Sequence, residues 1–265
     1  MDLQLSGKRA LVTGGSRGIG RAIAMALAAE GAHVAVAARS PQPLEAAAEE
    51  IGRNFGQPVH ALAVDTGDDA SVAAMAERAR DVLGGVDILV NAAATPSQPR
   101  PPRLAEITGE AFWTDVNTKV LGYLRCAQAV APGMVAAGWG RIINISGLNA
   151  RTTGSIIGSM RNVSVAAMTK NLADELGPHG VNVTVVHPGL TRTEATPALI
   201  AGLAEAQDIA PAEAEQRLAR RNTLGRIVDA DEVAAVVAFL ASPKSVAING
   251  DAIACGGGVR GPIHY

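Results

Sequence analysis

The sequence is poor in aromatic residues and has no strong excess of charge of either sign. Phe, Trp and Tyr together make up 3% of its 265 residues, so it offers no row of stacking side chains for the bases of a single-stranded nucleic acid. The net charge is −2, with the lysines and arginines scattered along the chain. This balance favours neither nucleic acid nor an anionic membrane surface as a partner.

Cysteine and long apolar segments are also scarce. The two cysteines, Cys126 and Cys255, are far apart in apolar segments, which predicts small buried side chains with free thiols, as in a reducing cytoplasm. The N-terminus, MDLQLSGKR, lacks the apolar core of a signal peptide. We found no run of about 18 apolar residues that would span a bilayer. The sequence therefore predicts a cytoplasmic protein with no membrane association, and no metal site is predicted.

Strand and helix patterns alternate along the whole chain. Short apolar runs near residues 10–12, 33–38, 59–64, 86–90, 141–145, 181–186 and 251–255 predict buried strands, with amphipathic helices between them. We found no linker that would divide the chain. Residues 1–265 are therefore expected to form one α/β domain, a doubly wound parallel sheet of about seven strands in the order 3-2-1-4-5-6-7.

A glycine-rich turn follows the first predicted strand. Gly14, Gly18 and Gly20 lie between that strand and the first helix, where backbone N–H groups and the positive end of a helix dipole favour a phosphate group. One glycine allows a tight turn, one allows close approach of a pyrophosphate, and one allows the helix to pack on the strand. Ser16, Arg17 and Ile19 complete the turn, which predicts a dinucleotide site.

Two positions bear on the choice of dinucleotide. The second strand ends at Ala38, which offers the adenosine ribose no acceptor, and Arg39 follows it. Arg39, with Arg17 and Ser16, would suit a 2′-phosphate, so NADP(H) is expected; the alternative is that Arg39 is a solvated loop charge. Asp65, at the end of the third strand, either accepts from the adenine amino group or caps the helix that begins near Asp68.

Several segments together resemble the short-chain dehydrogenase/reductase family from end to end. The matching segments are TGGSRGIG at 13–20, VDILVNAAA at 86–94, the VN pair ending at Asn117, GRIINIS at 140–146 and HPGLTRT at 187–193. The resemblance implies a Rossmann-type fold and a small-molecule carbonyl or alcohol substrate. It also implies cofactor contacts by Asn91, Pro188, Gly189 and Thr193, and catalytic roles for Asn117 and Ser146.

The resemblance fails where the family carries its Tyr-x-x-x-Lys pair. Counting back through the helix that matches without a gap places the tyrosine position at Gly158 and the lysine position at Asn162. We expect Asn162 to bond a cofactor ribose hydroxyl as a neutral donor. Ser146 also lies one place before the usual serine. Arg161 and His187 are alternative sources of an acid, besides water or the substrate.

Two functions remain open at this point. The first is an NADP(H)-dependent oxidoreductase with a degenerate catalytic site, and the second is an inactive NADP(H)-binding or structural partner protein. The family resemblance further implies a mobile substrate flap at about 194–222, with two short helices around Pro211. The helices at about 110–137 and 155–177, with the last strand, are expected to build a homotetramer or homodimer.

Overall fold

A computed structural model describes residues 1–95 and 101–261. The strands are β1 (Arg9–Thr13), β2 (His33–Ala38), β3 (Val59–Ala63), β4 (Ile88–Asn91), β5 (Gly140–Ile145), β6 (Val181–Pro188), β7 (Thr191–Arg192), β8 (Val228–Asp229) and β9 (Ala252–Cys255). The α-helices are α1 (Gly18–Ala29), α2 (Pro41–Phe55), α3 (Asp69–Leu83), α4 (Gly109–Val116), α5 (Gly122–Ala137), α6 (Ile156–Leu176), α7 (Thr196–Gln207), α8 (Pro211–Ala219) and α9 (Ala230–Ala241).

Seven strands form the central sheet, in the order β3-β2-β1-β4-β5-β6-β9 with parallel pairing. This confirms the predicted order, the seventh predicted strand being β9. The two additional strands, β7 and β8, are two residues each and pair only with each other in the described part of the chain. Strands this short leave no apolar run in the sequence, so pattern analysis passes over them.

Both faces of the sheet are covered by helices, because successive strand residues point to opposite sides. Val12 of β1 packs with Ile23 of α1 and Val237 of α9 on one face. Its neighbour Leu11 packs with Met75 of α3 and Val130 of α5 on the other. The strands are therefore apolar on both faces, as expected for a doubly wound sheet.

Local chemistry defines the ends of the helices. Asp68 caps α3 by accepting from the N–H of Ser71 at 2.6 Å, and α3 ends at Gly84, whose φ of +76° is left-handed. Ser155 caps α6 by accepting from the N–H of Gly158 at 3.0 Å. Helices α7 and α8 were predicted around Pro211, and Pro211 occupies the first turn of α8.

The predicted long helix at 109–137 is interrupted by a π-helical segment, Asn117–Leu121, which joins α4 to α5. By length and composition the stretch Gly109–Ala137 could cross a membrane, contrary to the sequence expectation, but one such helix is weak evidence. In the fold, α5 buries Cys126, Val130 and Met134 against the sheet. Its apolar composition therefore has a structural reason. The proline-rich stretch TPSQPRPPR at 95–103, whose composition predicts an exposed loop, lies partly outside the described residues.

Candidate active site

The candidate site lies along the carboxyl edge of the sheet, where the glycine turn follows β1 and ligands bind in open α/β folds. Gly14 and Gly18 have φ of +69° and +56°. A Cβ on Gly14 would lie 2.7 Å from the backbone of Ala92, and one on Gly20 would lie 2.3 Å from the carbonyl oxygen of Gly14. Any larger residue would push α1 away from β1, so these glycines hold the helix N-terminus at the sheet edge.

The other residues of the glycine turn differ in how far they are buried. Ile19 packs partly against the core below α1, and Ser16 is half-buried. Arg17 and Arg39 are both exposed, at the N-terminus of α1 and just after β2 respectively. Two exposed guanidinium groups thus follow neighbouring strands at one edge of the sheet.

The base of the predicted flap touches the glycine turn. A Cβ built on Gly18 would lie 3.6 Å from Cγ2 of Thr193, and the N–H of Gly18 donates to Oε2 of Glu194 at 3.2 Å. A carboxylate therefore occupies a position at the positive end of α1 that suits a phosphate oxygen. Sequence analysis did not single out Glu194, because nothing in its local pattern indicates a contact with residue 18.

Asp65 and Asn117 meet at the end of β3. Oδ1 of Asp65 accepts from the N–H of Gly67 at 2.9 Å, and Nδ2 of Asn117 donates to the carbonyl of Gly67 at 3.0 Å. Asp68, not Asp65, is the helix cap. The side chain of Asn117 is thereby directed toward β3 and not toward Ser146.

Asn91 belongs to a buried polar row under the cleft. Its Nδ2 donates to Oδ1 of Asn144 at 3.0 Å, and Nδ2 of Asn144 donates to Oγ1 of Thr169 at 2.9 Å. The row ties β4, β5 and α6 together. The amide of Asn91 is fully buried, so its side chain supports the sheet edge from within.

Ser146 and Asn162 lie together at the end of β5, and Lys119 joins them from the π segment. The hydroxyl of Ser146 donates to the carbonyl of Asn162 at 3.1 Å. Nζ of Lys119 donates to the carbonyl of Ser146 at 3.0 Å and to Oδ1 of Asn162 at 3.3 Å. Burial, and then the charge of Arg161, lower the pKa of Lys119 to about 7, while Asp115 acts in the opposite direction.

Lys119 was missed by sequence analysis. A lysine two residues after Asn117 within a largely apolar helical stretch was a signal that could have been followed. The direction in which the lysine side chain points, however, depends on the π segment. The extra residue in a π-helical turn changes the helix face on which each side chain lies.

The candidate acid Arg161 and the buried phenol of Tyr123 both have other partners. Arg161 donates from NH1 to both carboxylate oxygens of Asp115, at 2.6 and 2.7 Å, so this guanidinium is committed to an ion pair between α4 and α6. The hydroxyl of Tyr123 donates to the carbonyl of Ile145 at 2.9 Å, and burial raises its pKa further above neutrality. Tyr265 lies outside the described residues.

Gly158 and Asn162 are both buried and lie one helical turn apart on α6. A Cβ on Gly158 would lie 2.8 Å from Oγ of Ser155 and 3.2 Å from Nδ2 of Asn149. A Cβ on Gly147 would lie 2.9 Å from Nδ2 of Asn162. The Asn162 amide therefore extends beside the backbone that follows Ser146.

The end of β6 closes the site on the other side. His187 and Pro188 are buried in β6, opposite Ala254 and Cys255 of β9. The N–H of Gly189 donates to the carbonyl of Cys255 at 3.1 Å, and a Cβ on Gly189 would lie 2.8 Å from Cα of Gly256. Pro188 and Gly189 thus turn the chain toward β7, and the close contact with Gly256 leaves no room for a side chain at Gly189.

Comparison with known families and proteins identifies close similarity over nearly the whole chain. A family model described as enoyl-(acyl carrier protein) reductase matches residues 14–260. The 3-oxoacyl-[acyl-carrier-protein] reductase FabG of Aquifex aeolicus is 34% identical over 262 residues, which cover 98% of this chain and 100% of that protein. The short-chain reductase protein NovJ of Streptomyces niveus is 36% identical over 251 residues, covering 94% and 92% respectively.

Solved structures show the same similarity. The L-sorbose reductase of Gluconobacter frateurii, solved in complex with NADPH and L-sorbose, superposes with a TM-score of 0.93 at 31% identity. The match covers 99% of this chain and 100% of that one. The sheet, the glycine turn and the flap helices are therefore parts of a fold shared with enzymes.

Proposed function

Because this chain belongs to the short-chain dehydrogenase/reductase family of nicotinamide-dependent oxidoreductases, we propose that it transfers a hydride from NADPH to the carbonyl carbon of a small molecule. The observation that carries the proposal is the glycine turn: the close backbone packing at Gly14 and Gly20 and the positive φ of Gly14 and Gly18 place the N-terminus of α1 at the carboxyl edge of the sheet, where backbone N–H groups favour a diphosphate. Similar proteins named as reductases, one of them with NADPH bound, support the same chemistry.

The proposed cofactor contacts follow the carboxyl edge of the sheet. Arg39 would pair with the 2′-phosphate and Asp65 would face the adenine. Ser16, Arg17 and Ile19 would surround the diphosphate, and Pro188, Gly189 and Thr193 would line the nicotinamide side. Asn91 would act from beneath, through the polar row it shares with Asn144. When bound, NADPH supplies the hydride, and the chain's own residues hold it and exclude water.

The proposed catalytic positions include two that lack the usual groups. Gly158 and Asn162 occupy the positions where the family pattern has tyrosine and lysine. Ser146 lies at the end of β5, and Asn117 lies in the helical stretch before β5. Hydride transfer is cofactor chemistry, so the protein needs chiefly to place the substrate and stabilise a developing alkoxide. Water would then supply the proton that a tyrosine supplies elsewhere.

We further infer that residues 1–265 act as one domain, with α7 and α8 of the 194–222 segment as the flap over the substrate. The free thiols Cys126 and Cys255 suit a cytoplasmic setting. Assembly into a homodimer or homotetramer through α5 and α6 is part of the same proposal.

The proposal is tested with the purified full-length chain, NADPH and a panel of carbonyl compounds, a ketose and a 3-oxoacyl thioester among them. We expect NADPH to bind. We also expect at least one carbonyl compound of the panel to be reduced at a low rate, measured as oxidation of NADPH. Failure to bind NADPH would contradict the proposal, and binding without any turnover would favour a nucleotide-binding partner protein.

A gain-of-function variant sharpens the test. Gly158→Tyr introduces a phenol at the position where the family pattern has tyrosine, at the cost of displacing Ser155, whose Oγ and Cβ would lie 2.8 and 3.1 Å from the new Cβ. A positioned general acid contributes about 10²–10⁴-fold. We expect kcat on the best carbonyl to rise by about 10²-fold. Gly109→Tyr, at the exposed start of α4 where a Cβ meets nothing within 4 Å, is the matched control and should leave kcat unchanged.

A further inference from the structure

Lys119 differs from the other lysines of the chain in its burial. The sequence contains four lysines, at positions 8, 119, 170 and 244, all within the described residues, and Lys119 alone is buried, with 4% of its surface exposed. Removing an ammonium group from water is unfavourable unless its hydrogen bonds are replaced. Two of its three donors are directed to the carbonyl of Ser146 and to Oδ1 of Asn162.

The ammonium determines how the amide of Asn162 is oriented. A charged lysine has three donors and no acceptor, so it faces the amide oxygen and leaves the amide NH2 on the other side. That NH2 lies toward Gly147, where a Cβ would stand 2.9 Å from Nδ2. Gly147 therefore leaves room for a donor at the end of β5, beside Ser146.

The charged neighbours of Lys119 come from the two helices packed around it. Asp115 of α4 and Arg161 of α6 form an ion pair at 2.6 Å, and Tyr123 of α5 places its ring centroid 6.0 Å from Nζ. The phenol of Tyr123 is bonded to Ile145. Since the charges of Asp115 and Arg161 oppose each other, burial remains the main influence on the pKa of Lys119, which is about 7.

We propose that Lys119 supplies the positive charge that residue 162 lacks, and that it acts as a positioning residue through Asn162, whose NH2 it directs into the cleft. The charge has thus moved from α6 to the π segment of the neighbouring helix, while its point of action at the end of β5 is kept. This inference rests on the proposed reductase function.

The proposed reduction does not need a proton from Lys119. When bound, NADPH would supply the hydride to the carbonyl carbon; the C=O π pair would move to the oxygen, and that oxygen would take a proton from water. Asn162 donates a hydrogen bond to the developing oxyanion, and the ammonium of Lys119 strengthens that bond by polarising the amide.

Kinetics of three variants test the role. Lys119→Met should lower kcat by about 10- to 100-fold while the Kd for NADPH changes by less than about threefold, because the charge matters most in the transition state. Lys119→Arg should recover much of the loss. Lys119→Met/Asn162→Lys, which returns the charge to α6, should exceed Lys119→Met by about tenfold. Lys170→Met removes an exposed lysine of α6 and is the matched control.

The pH profile gives a second readout. The wild-type kcat should fall as pH rises through the pKa of Lys119, since the neutral amine can still donate hydrogen bonds but no longer polarises the amide with a positive charge. Lys119→Met should lack this decline, and Lys119→Arg should keep a plateau because a guanidinium stays protonated.

A spectroscopic measurement decides the inference independently of turnover. In the full-length chain saturated with NADP⁺ and labelled with ¹⁵N-asparagine, the side-chain NH2 signal of Asn162, assigned by its absence in Asn162→Ala, should shift with a midpoint near pH 7. The shift should vanish in Lys119→Met and persist in Lys170→Met. A pH-independent Asn162 signal overturns the inference even if the enzyme is active, as does wild-type kcat in Lys119→Met. If the Asn162 signal shifts with pH as expected but no carbonyl is reduced, only the proposed reductase function is contradicted.

Discussion

At the scale of single residues, the site depends on a few side chains whose surroundings decide their chemistry. Lys119 is buried and shares its hydrogen bonds with the end of β5, whereas Arg39 is exposed at the end of β2. In the proposals above, Lys119 acts on the buried amide of Asn162, whereas Arg39 would bind the 2′-phosphate of a cofactor that arrives from solvent. Each makes a distinct prediction.

Arg39→Ala should weaken NADPH more than NADH. A charge-assisted hydrogen bond to a phosphate contributes about 1.5–3 kcal/mol, so the Kd for NADPH should rise by about tenfold or more while that for NADH stays nearly constant. Titration of both cofactors by fluorescence measures the difference. Arg53→Ala, an exposed arginine of α2, is the control, and equal weakening of both cofactors by Arg39→Ala would show that no 2′-phosphate contact is made.

The stability of the fold should depend on pH through Lys119. Its pKa is lowered from 10.5 to about 7 in the folded chain. Between these values the unfolded chain binds a proton that the folded chain does not, so the free energy of unfolding rises with pH. Methionine does not titrate, so the stability of Lys119→Met relative to wild type should be highest below pH 7 and should decline as pH rises toward 10.5.

Urea unfolding at about pH 6 and about pH 9 measures this trend. Lys170→Met, whose lysine pairs with Asp174 at the surface, should show no such decline. A difference between Lys119→Met and wild type that is constant with pH would mean that Lys119 keeps an ordinary pKa.

At the scale of elements, the sequence predicted most of the fold because strand and helix periodicities were strong. Helix α3 begins at Asp69, next to Asp68, where the sequence predicted its start. The π segment was not predicted, since one inserted residue leaves no mark on an apolar pattern. For the same reason the site could be predicted only in part: glycine positions follow from backbone sterics, whereas the directions of Lys119 and Glu194 depend on distant packing.

The contact between the flap base and α1 makes a prediction about affinity. Glu194 accepts from the N–H of Gly18 at 3.2 Å, where its negative charge opposes that of a diphosphate. Glu194→Gln should therefore tighten NADPH binding, by about two- to fivefold at low salt and less at high salt. Titration calorimetry at two salt concentrations measures it. Glu205→Gln, an exposed carboxylate of α7, is the control, and weaker binding in Glu194→Gln would instead show that Glu194 helps to hold the cofactor.

At the scale of the whole molecule, α6 has an apolar stripe on its outer surface. Ile156, Met160 and Val163 are each about half exposed, and their spacing places them on one face of the helix. Trp113 of α4 is also exposed. A stripe that recurs identically on each copy suits a two-fold interface, in which the same helix packs against itself.

Val163→Asp combined with Met160→Asp should shift the chain toward monomers, because buried carboxylates would face each other across the proposed interface. Sedimentation velocity at micromolar concentration measures the change. Val246→Asp, a comparably exposed valine outside α6, should leave assembly unchanged. A wild-type chain that sediments only as a monomer would contradict the assembly proposal.

The small pairing of β7 with β8 determines how freely the flap can be altered. Thr191 and Arg192 pair with Val228 and Asp229, so the chain leaves the sheet and returns at points about 5 Å apart. Residues 193–221 therefore form an insertion whose two ends are held in place, since Thr223 just beyond it donates from its N–H to the carbonyl of Gly257. Doubling the length of this insertion would cost only about 0.6 kcal/mol of closure entropy. Such a segment can be replaced as a single unit. If the proposed function holds, we expect that grafting the corresponding segment of a relative with a known substrate changes which molecule is reduced, while NADPH binding at the end of β1 is unchanged.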